Sequence, residues 1–153
     1  MYEYKCEVTR IVDGDTIDVI LDLGFSILHK ARVRLYAIDT PESRTRNKDE
    51  KARGLMAKNF IVQNVNTAEK CVIQTHLKDS KGKFGRVLGT LVVDGLNINE
   101  ALIDNHLAVP YYGQNKQDVE DAHMENRDTL IQLEEFTPLD PKTGKPLSQE
   151  LHA

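Results

Sequence analysis

The chain has 153 residues, 40% of them hydrophobic and 29% charged, with a net charge of −4. That length suits one domain with its own core, and no run approaches the roughly 18 apolar residues that a membrane helix needs. The opening MYEYKCEVTRIVDG has no basic patch followed by an apolar core, so no secretory signal is expected within it; cytoplasmic, released and processed secreted forms all stay open.

Alternation of apolar and charged residues predicts strands over 4–10 and 16–23, joined by the bend Asp13-Gly14-Asp15. Asp22-Leu23-Gly24 reads as a turn, and a third strand runs from Ala31 to Tyr36. After Pro41 the period changes. Apolar residues at 52, 55, 56, 60 and 62, with lysine and arginine between them, predict an amphipathic helix from Asp49 to Val62.

Residues 70–77 and 86–93 return to strand character on either side of the polar link DSKGKFG, and Asp94-Gly95 signals a hairpin. Asn97 or Asn99 caps a short helix reaching Leu107, with Ile98, Leu102 and Ile103 on its buried side. A third, more polar helix covers 115–133. The remainder, FTPLDPKTGKPLSQELHA, has three prolines and no sustained period, so a domain over 1–135 and an extended tail over 136–153 are expected. Three strands, a helix, two strands and two helices suit a small closed barrel, although a mixed open sheet shares the pattern. Cys6 and Cys71 sit in strand-like runs as buried thiols or a disulfide; neither has the neighbours of a metal cluster or a CxxC pair.

The net acidity argues against a nucleic-acid partner, but its distribution does not. Six basic residues stand against two acidic ones between Arg44 and Lys58, and four against one between Lys78 and Arg86. Seven acidic residues then face Arg127 alone between Asp118 and Glu135. The acidity belongs mainly to the third helix and the residues just after it.

Asp13, Asp15, Asp18, Asp39 and Glu42 fall around two strand ends. Asp15 and Asp39 converge if the second and third strands pair, and with a threonine oxygen they make a hard, oxygen-only site that suits calcium, or magnesium with tighter geometry. Asp15 also suits the cap of a bend, and Thr40 and Glu42 also suit the start of a loop. Pro41 stiffens the path from Asp39 to Glu42, whose carboxylate could take a proton from an attacking water. Arg34 and Arg86 could grip phosphate oxygens with directed donors, or serve as surface ion-pair partners.

IVDGDT at 11–16, RLYAIDTPE at 34–42 and KFGRVLGTLVVDGLNINEAL at 83–102 together resemble the staphylococcal nuclease (thermonuclease) family over roughly residues 6–112. The resemblance implies a five-stranded barrel of the oligonucleotide-binding (OB) type with three helices. It implies a calcium-dependent phosphodiesterase that cuts DNA and RNA, leaving a 3′-phosphate and a 5′-hydroxyl. It implies one Ca2+, in preference to Mg2+, held by Asp15, Asp39 and the backbone oxygen of Thr40. Glu42 then orients or deprotonates the water, Arg34 and Arg86 hold the phosphate, and Tyr111 and Tyr112 lie beside the substrate nucleotide. Asp18 is given no ligand role.

The expected partners are DNA and/or RNA and no membrane, for a monomer whose acidic third helix offers a surface to a protein. Two features depart from the family: the net acidity, and the segment SRTRNKDEKARG, which lacks a Gly-x-x-Ala approach to the helix and is strongly basic. That segment is expected near the nucleic-acid path. The rival reading is a catalytically inactive nucleic-acid- or protein-binding OB module, which predicts damaged acids or arginines; all six core positions are present.

Overall fold

The computed structural model describes residues 2–76 and 87–147. Within them, β1 (Glu3–Asp13), β2 (Thr16–Asp22) and β3 (Leu28–Leu35) form an antiparallel meander. β5 (Cys71–Thr75) pairs antiparallel with β1 and with β6 (Val87–Val93). A parallel pairing of β3 with β6 closes the ring through Val33–Val87, Arg34–Leu88 and Leu35–Gly89. The result is the five-stranded OB-type barrel that the resemblance implies, and the open-sheet alternative is excluded.

Side-chain alternation puts Ile17, Val19, Val33, Leu35, Ile73 and Leu91 into the barrel, where helices add Ile61, Ile98 and Leu102. The seam between β3 and β6 is tight. A Cβ at Gly89 would stand 2.9 Å from Ile73 Cγ2 and 3.2 Å from Val33 Cγ1.

The short strand β4 (Ile38–Asp39) leaves the barrel and pairs with β8 (Val109–Pro110). β7 (Leu96–Asn97) returns from β6 through Asp94 and Gly95, which both adopt positive φ (49° and 85°), as a tight hairpin turn requires. β3 begins three residues earlier than alternation alone predicts, and β1 runs on to Asp13.

Helix α1 (Lys48–Asn66) is capped by Asn47, whose side chain accepts the Glu50 N–H at 3.0 Å. Its buried face differs from the expected one. Asp49, Arg53, Gly54, Ala57 and Ile61 are buried, while Leu55 is 39% exposed. The reason is ionic: Asp49 accepts from Arg53 Nε (3.3 Å), from Arg127 Nε (2.8 Å) and from the Leu139 N–H (2.9 Å), so two charged residues occupy what hydrophobicity would assign to apolar ones. A Gly-x-x-Ala pair does occur, inside the helix at Gly54 and Ala57 rather than on its approach.

Helix α2 (Ile98–Asp104) is capped by Asn97. Asn99 is instead buried and bonds the Leu91 N–H and the carbonyls of Tyr36 and Gly89. Helix α3 (Lys116–Gln132) starts at Asn115, which caps the Asp118 N–H. After it, Phe136 is buried, Leu139 bridges to Pro146, and the Lys48 N–H donates to the Pro141 carbonyl at 2.8 Å. Residues 136–147 thus pack on the start of α1. No helix among the described residues is long and apolar enough to cross a membrane.

Candidate active site

The bend that joins β1 to β2 meets the segment leaving β4 at one end of the barrel. Gly14 allows the approach: a Cβ there would lie 2.7 Å from Ala57 Cβ and 2.9 Å from Thr40 Oγ1. On either side of that glycine, an aspartate holds one point of the opposing segment. Asp15 Oδ2 accepts the Thr40 N–H at 3.3 Å, and Asp13 Oδ1 accepts the Ser43 hydroxyl. Between these two ties, the Glu42 N–H donates to Glu50 Oε2 at 3.2 Å. The Asp39–Ser43 stretch is therefore clamped by backbone and side-chain bonds, which is more than a loop start requires.

Arg34 leaves β3 next to Asp15, since Thr16 and Arg34 are register partners. The Leu35 N–H donates to the Asp15 carbonyl at 2.8 Å, and Arg34 Nη1 bonds the Leu35 carbonyl at 3.1 Å. The guanidinium then spans both predicted carboxylates. Nη1 lies 3.6 Å from Asp15 Oδ2, and Nη2 lies 3.5 Å from Asp39 Oδ1. Asp15 and Asp39 thus converge on one cation from two chain segments. All three side chains keep part of their surface open to solvent.

Glu42 is exposed and shares a cleft with Asp39, Thr40, Glu50, Tyr111 and His123. Partial burial first, then the negative charges of Asp15, Asp13, Asp39 and Glu50, raise its pKa above the usual carboxylate value. Any partly buried carboxyl surrounded by other acids acquires such a shift.

Tyr111 and Tyr112 lie with Arg34, Tyr36, Leu88 and Gly113 around a second, more apolar cleft, which shares Tyr111 with the first. The Tyr111 N–H donates to the Ala37 carbonyl at 2.8 Å, while Tyr112 is 81% exposed. Tyr36, on the rim of the same cleft, stacks on His76 with ring centroids 3.9 Å apart. Arg86 lies outside the described residues. Asp18 faces away and is held by Arg32 at 2.8 Å.

Sequence reasoning missed His123. It comes from α3, 84 positions beyond its partner, and its Nε2 lies 2.8 Å from Asp39 Oδ2. Its ring is buried, and no local pattern in α3 separates it from an ordinary inward-facing residue.

Residues 32–132 match the family described as "Staphylococcal nuclease homologue", which is well over half of the chain. The chain belongs to the staphylococcal nuclease family. Among curated proteins, this family member is 34% identical to Protein ParB of Escherichia coli over 71% of its own length and 58% of that protein. It is 33% identical to Endonuclease YncB of Bacillus subtilis, over 65% of its own length and 44% of the other. Against the Micrococcal nuclease of Shigella flexneri, identity is 32% over 73% of the chain and 62% of that protein. The chain therefore spans less than two thirds of each of these relatives.

The family implies a hard divalent cation, and the donor set fits one. Asp15 and Asp39 are oxygen donors converging from two segments, and the hydroxyl of Thr40, the residue after Asp39, is buried without a hydrogen-bond partner among the described residues. Among the described residues, no group of three or more His, Cys, Asp or Glu side chains is placed to hold a metal ion by itself. A cation held there would take only part of its shell from Asp15 and Asp39.

Proposed function

We propose that this chain is a metal-dependent nuclease that hydrolyses DNA and/or RNA, leaving 3′-phosphate and 5′-hydroxyl ends. The observation that carries the reading is the single Arg34 guanidinium bridging Asp15 and Asp39, with Glu42 clamped alongside, in a member of this family. Asp15, Asp39 and the backbone oxygen of Thr40 would hold one Ca2+. Its tolerance for irregular oxygen shells suits an open site better than the strict octahedron of Mg2+. When bound, the cation neutralises phosphate charge and acidifies the attacking water.

The chain's own residues supply the rest. Glu42, held beside Asp39 and Thr40 in the same cleft, orients that water and takes its proton. Arg34 directs N–H groups at the phosphate oxygens and stays charged as phosphorus gains negative charge in the transition state. Arg86 is assigned the second phosphate clamp on the family resemblance alone. Tyr111 and Tyr112 offer a ring face and a phenol to the nucleotide, which their position around the cleft beside Arg34 supports.

The basic segment 44–58 supports a strand path past Glu42, although Glu120 of α3 lines the same cleft; Asp118, Asp121, Glu125 and Asp128 are the other exposed acids of that helix. By charge alone those acids favour a basic protein over nucleic acid. The test is incubation of the purified chain with end-labelled single-stranded DNA and RNA, in calcium, in magnesium and in chelator. Cleavage in calcium with 3′-phosphate ends is expected, and loss of it in chelator. No cleavage under any condition would leave the inactive binding module as the reading.

A further inference from the structure

Asp39 occupies a strand of only two residues, so its backbone alone cannot set the direction of its carboxylate. Its two oxygens are instead divided between two partners: Oδ1 faces Arg34 Nη2 at 3.5 Å, and Oδ2 meets His123 Nε2 at 2.8 Å. An ionised carboxylate only accepts, so Nε2 carries the proton and donates. Nδ1 is then buried with no partner among the described residues. A leucine at this position would fill similar space without stranding a buried nitrogen, so packing alone does not account for the imidazole.

The ring is also held still. His123, Asn126, Arg127 and Leu130 form one stripe of α3 at helical spacing. Asn126 donates to the Ala108 carbonyl at 3.1 Å, Arg127 to Asp49 at 2.8 Å, and Leu130 is buried. Ala108 adjoins Val109, the β8 partner of Asp39. The helix is thus anchored beside the very strand whose side chain it steers.

We infer that His123 is a positioning residue for the cation site: by occupying Asp39 Oδ2 it turns Oδ1 toward the space shared with Asp15, and so ties divalent-cation affinity to the docking of α3. This rests on the proposed cation-dependent reading. It parallels the outer-shell bonds that orient metal-binding carboxylates elsewhere, whose loss weakens affinity by about 10–100-fold.

The experiment is calorimetric titration of Ca2+ alone into the wild-type chain, H123L and H123Q, without nucleic acid, with thermal melting of each protein in chelator. H123L is expected to melt at or above the wild-type temperature in chelator, yet bind Ca2+ about 10-fold more weakly. H123Q, whose amide can still donate to Oδ2, is expected to restore most of that affinity. Unchanged Ca2+ affinity in H123L overturns the positioning role. If H123L does not fold, H123A, which also removes the donor, takes its place: Ca2+ binding about 10-fold weaker than wild type, recovered in H123Q, supports the role, and wild-type affinity in H123A overturns it. Absence of Ca2+ binding by the wild type overturns the cation-dependent reading, and the positioning role with it.

Discussion

Gly54 lies against the carbonyl of Glu42: a Cβ on that glycine would stand 2.7 Å from Glu42 O. The Pro41 carbonyl would be equally close, so α1 and the Pro41–Glu42 backbone touch along a line that only a missing side chain permits. Glu42 therefore owes its position to a residue twelve places further on. Gly54→Ala is expected to push the segment away, costing about 1–3 kcal/mol of stability. A misplacement near 1 Å lowers turnover by roughly 100-fold. Urea unfolding and single-turnover kinetics on the same protein check both.

Glu42 sets stability against chemistry. Its folded-state pKa is raised, so the folded chain holds this proton more tightly than the unfolded chain does. The resulting contribution is favourable at low pH and is lost as pH rises from the ordinary glutamate range through the raised value. Glu42→Gln removes the charge that the site disfavours. The variant is expected to melt above the wild type at neutral pH in chelator while losing turnover by about 100-fold or more. A variant with wild-type turnover would end the case for Glu42 as base.

Arg34 shares its guanidinium with the two acids proposed to hold the cation. Its removal should therefore separate binding from chemistry. Arg34→Ala is expected to slow cleavage by about 100–1,000-fold, the scale of a lost oxyanion donor. Ca2+ affinity should stay the same or tighten, since a positive competitor has gone. Weakened Ca2+ binding, measured by calorimetry, would instead make Arg34 a scaffold for the carboxylates.

Asp49 is the structural counterpart. Burial acts to raise its pKa, but the hydrogen bond from Arg127, the Leu139 N–H and the charges of Arg127 and Arg53 outweigh it and hold the value below the usual carboxylate range. Its stabilisation is therefore complete above the ordinary aspartate pKa and is lost as pH falls through the lowered one. Asp49→Asn leaves Arg53, only 5% exposed, without its counter-charge. A loss of about 3–5 kcal/mol is expected. Denaturant melts from neutral to acid pH should show the gap between the two proteins closing as pH drops.

Cys6 and Cys71 face each other as register partners across β1 and β5, both as free thiols. Burial, then the neighbouring Cys71, pushes the Cys6 thiol up to about 12. Only the thiolate reacts with alkylating agents. Native protein at about pH 8, near the ordinary thiol pKa, should label very slowly at Cys6 and far faster once unfolded. Mass spectrometry after brief iodoacetamide treatment distinguishes the two.

The near half of the site was legible because its chemistry is local. Asp39, Thr40 and Glu42 are consecutive or nearly so, and a bend with two aspartates announces itself. The barrel was equally visible in the alternation of Ile17, Val19, Val33 and Leu35. What escaped depends on partners distant in sequence. Asp49 and Arg53 look like solvent-facing residues until Arg127 and Leu139 arrive to satisfy them. Asn97 and Asn99 were equal candidates for one cap, and only the packing of α2 on β6 sends Asn99 to the Leu91 N–H. His123 carries no local mark at all, because its meaning lies in an aspartate at the far end of the domain.

The barrel's closing seam has a bearing on timing. Arg34 is the middle residue of the three pairs that join β3 to β6. Neighbouring strands of the meander need only short turns, whereas this parallel pairing must bring together segments more than fifty residues apart, the slow kind of contact in folding. A chain still emerging from synthesis can pair β2 with β3, and so set Arg34 beside Asp15, before the seam with β6 closes the barrel. The strand pairing that finishes the barrel thus also steadies the backbone of the residue proposed to hold phosphate.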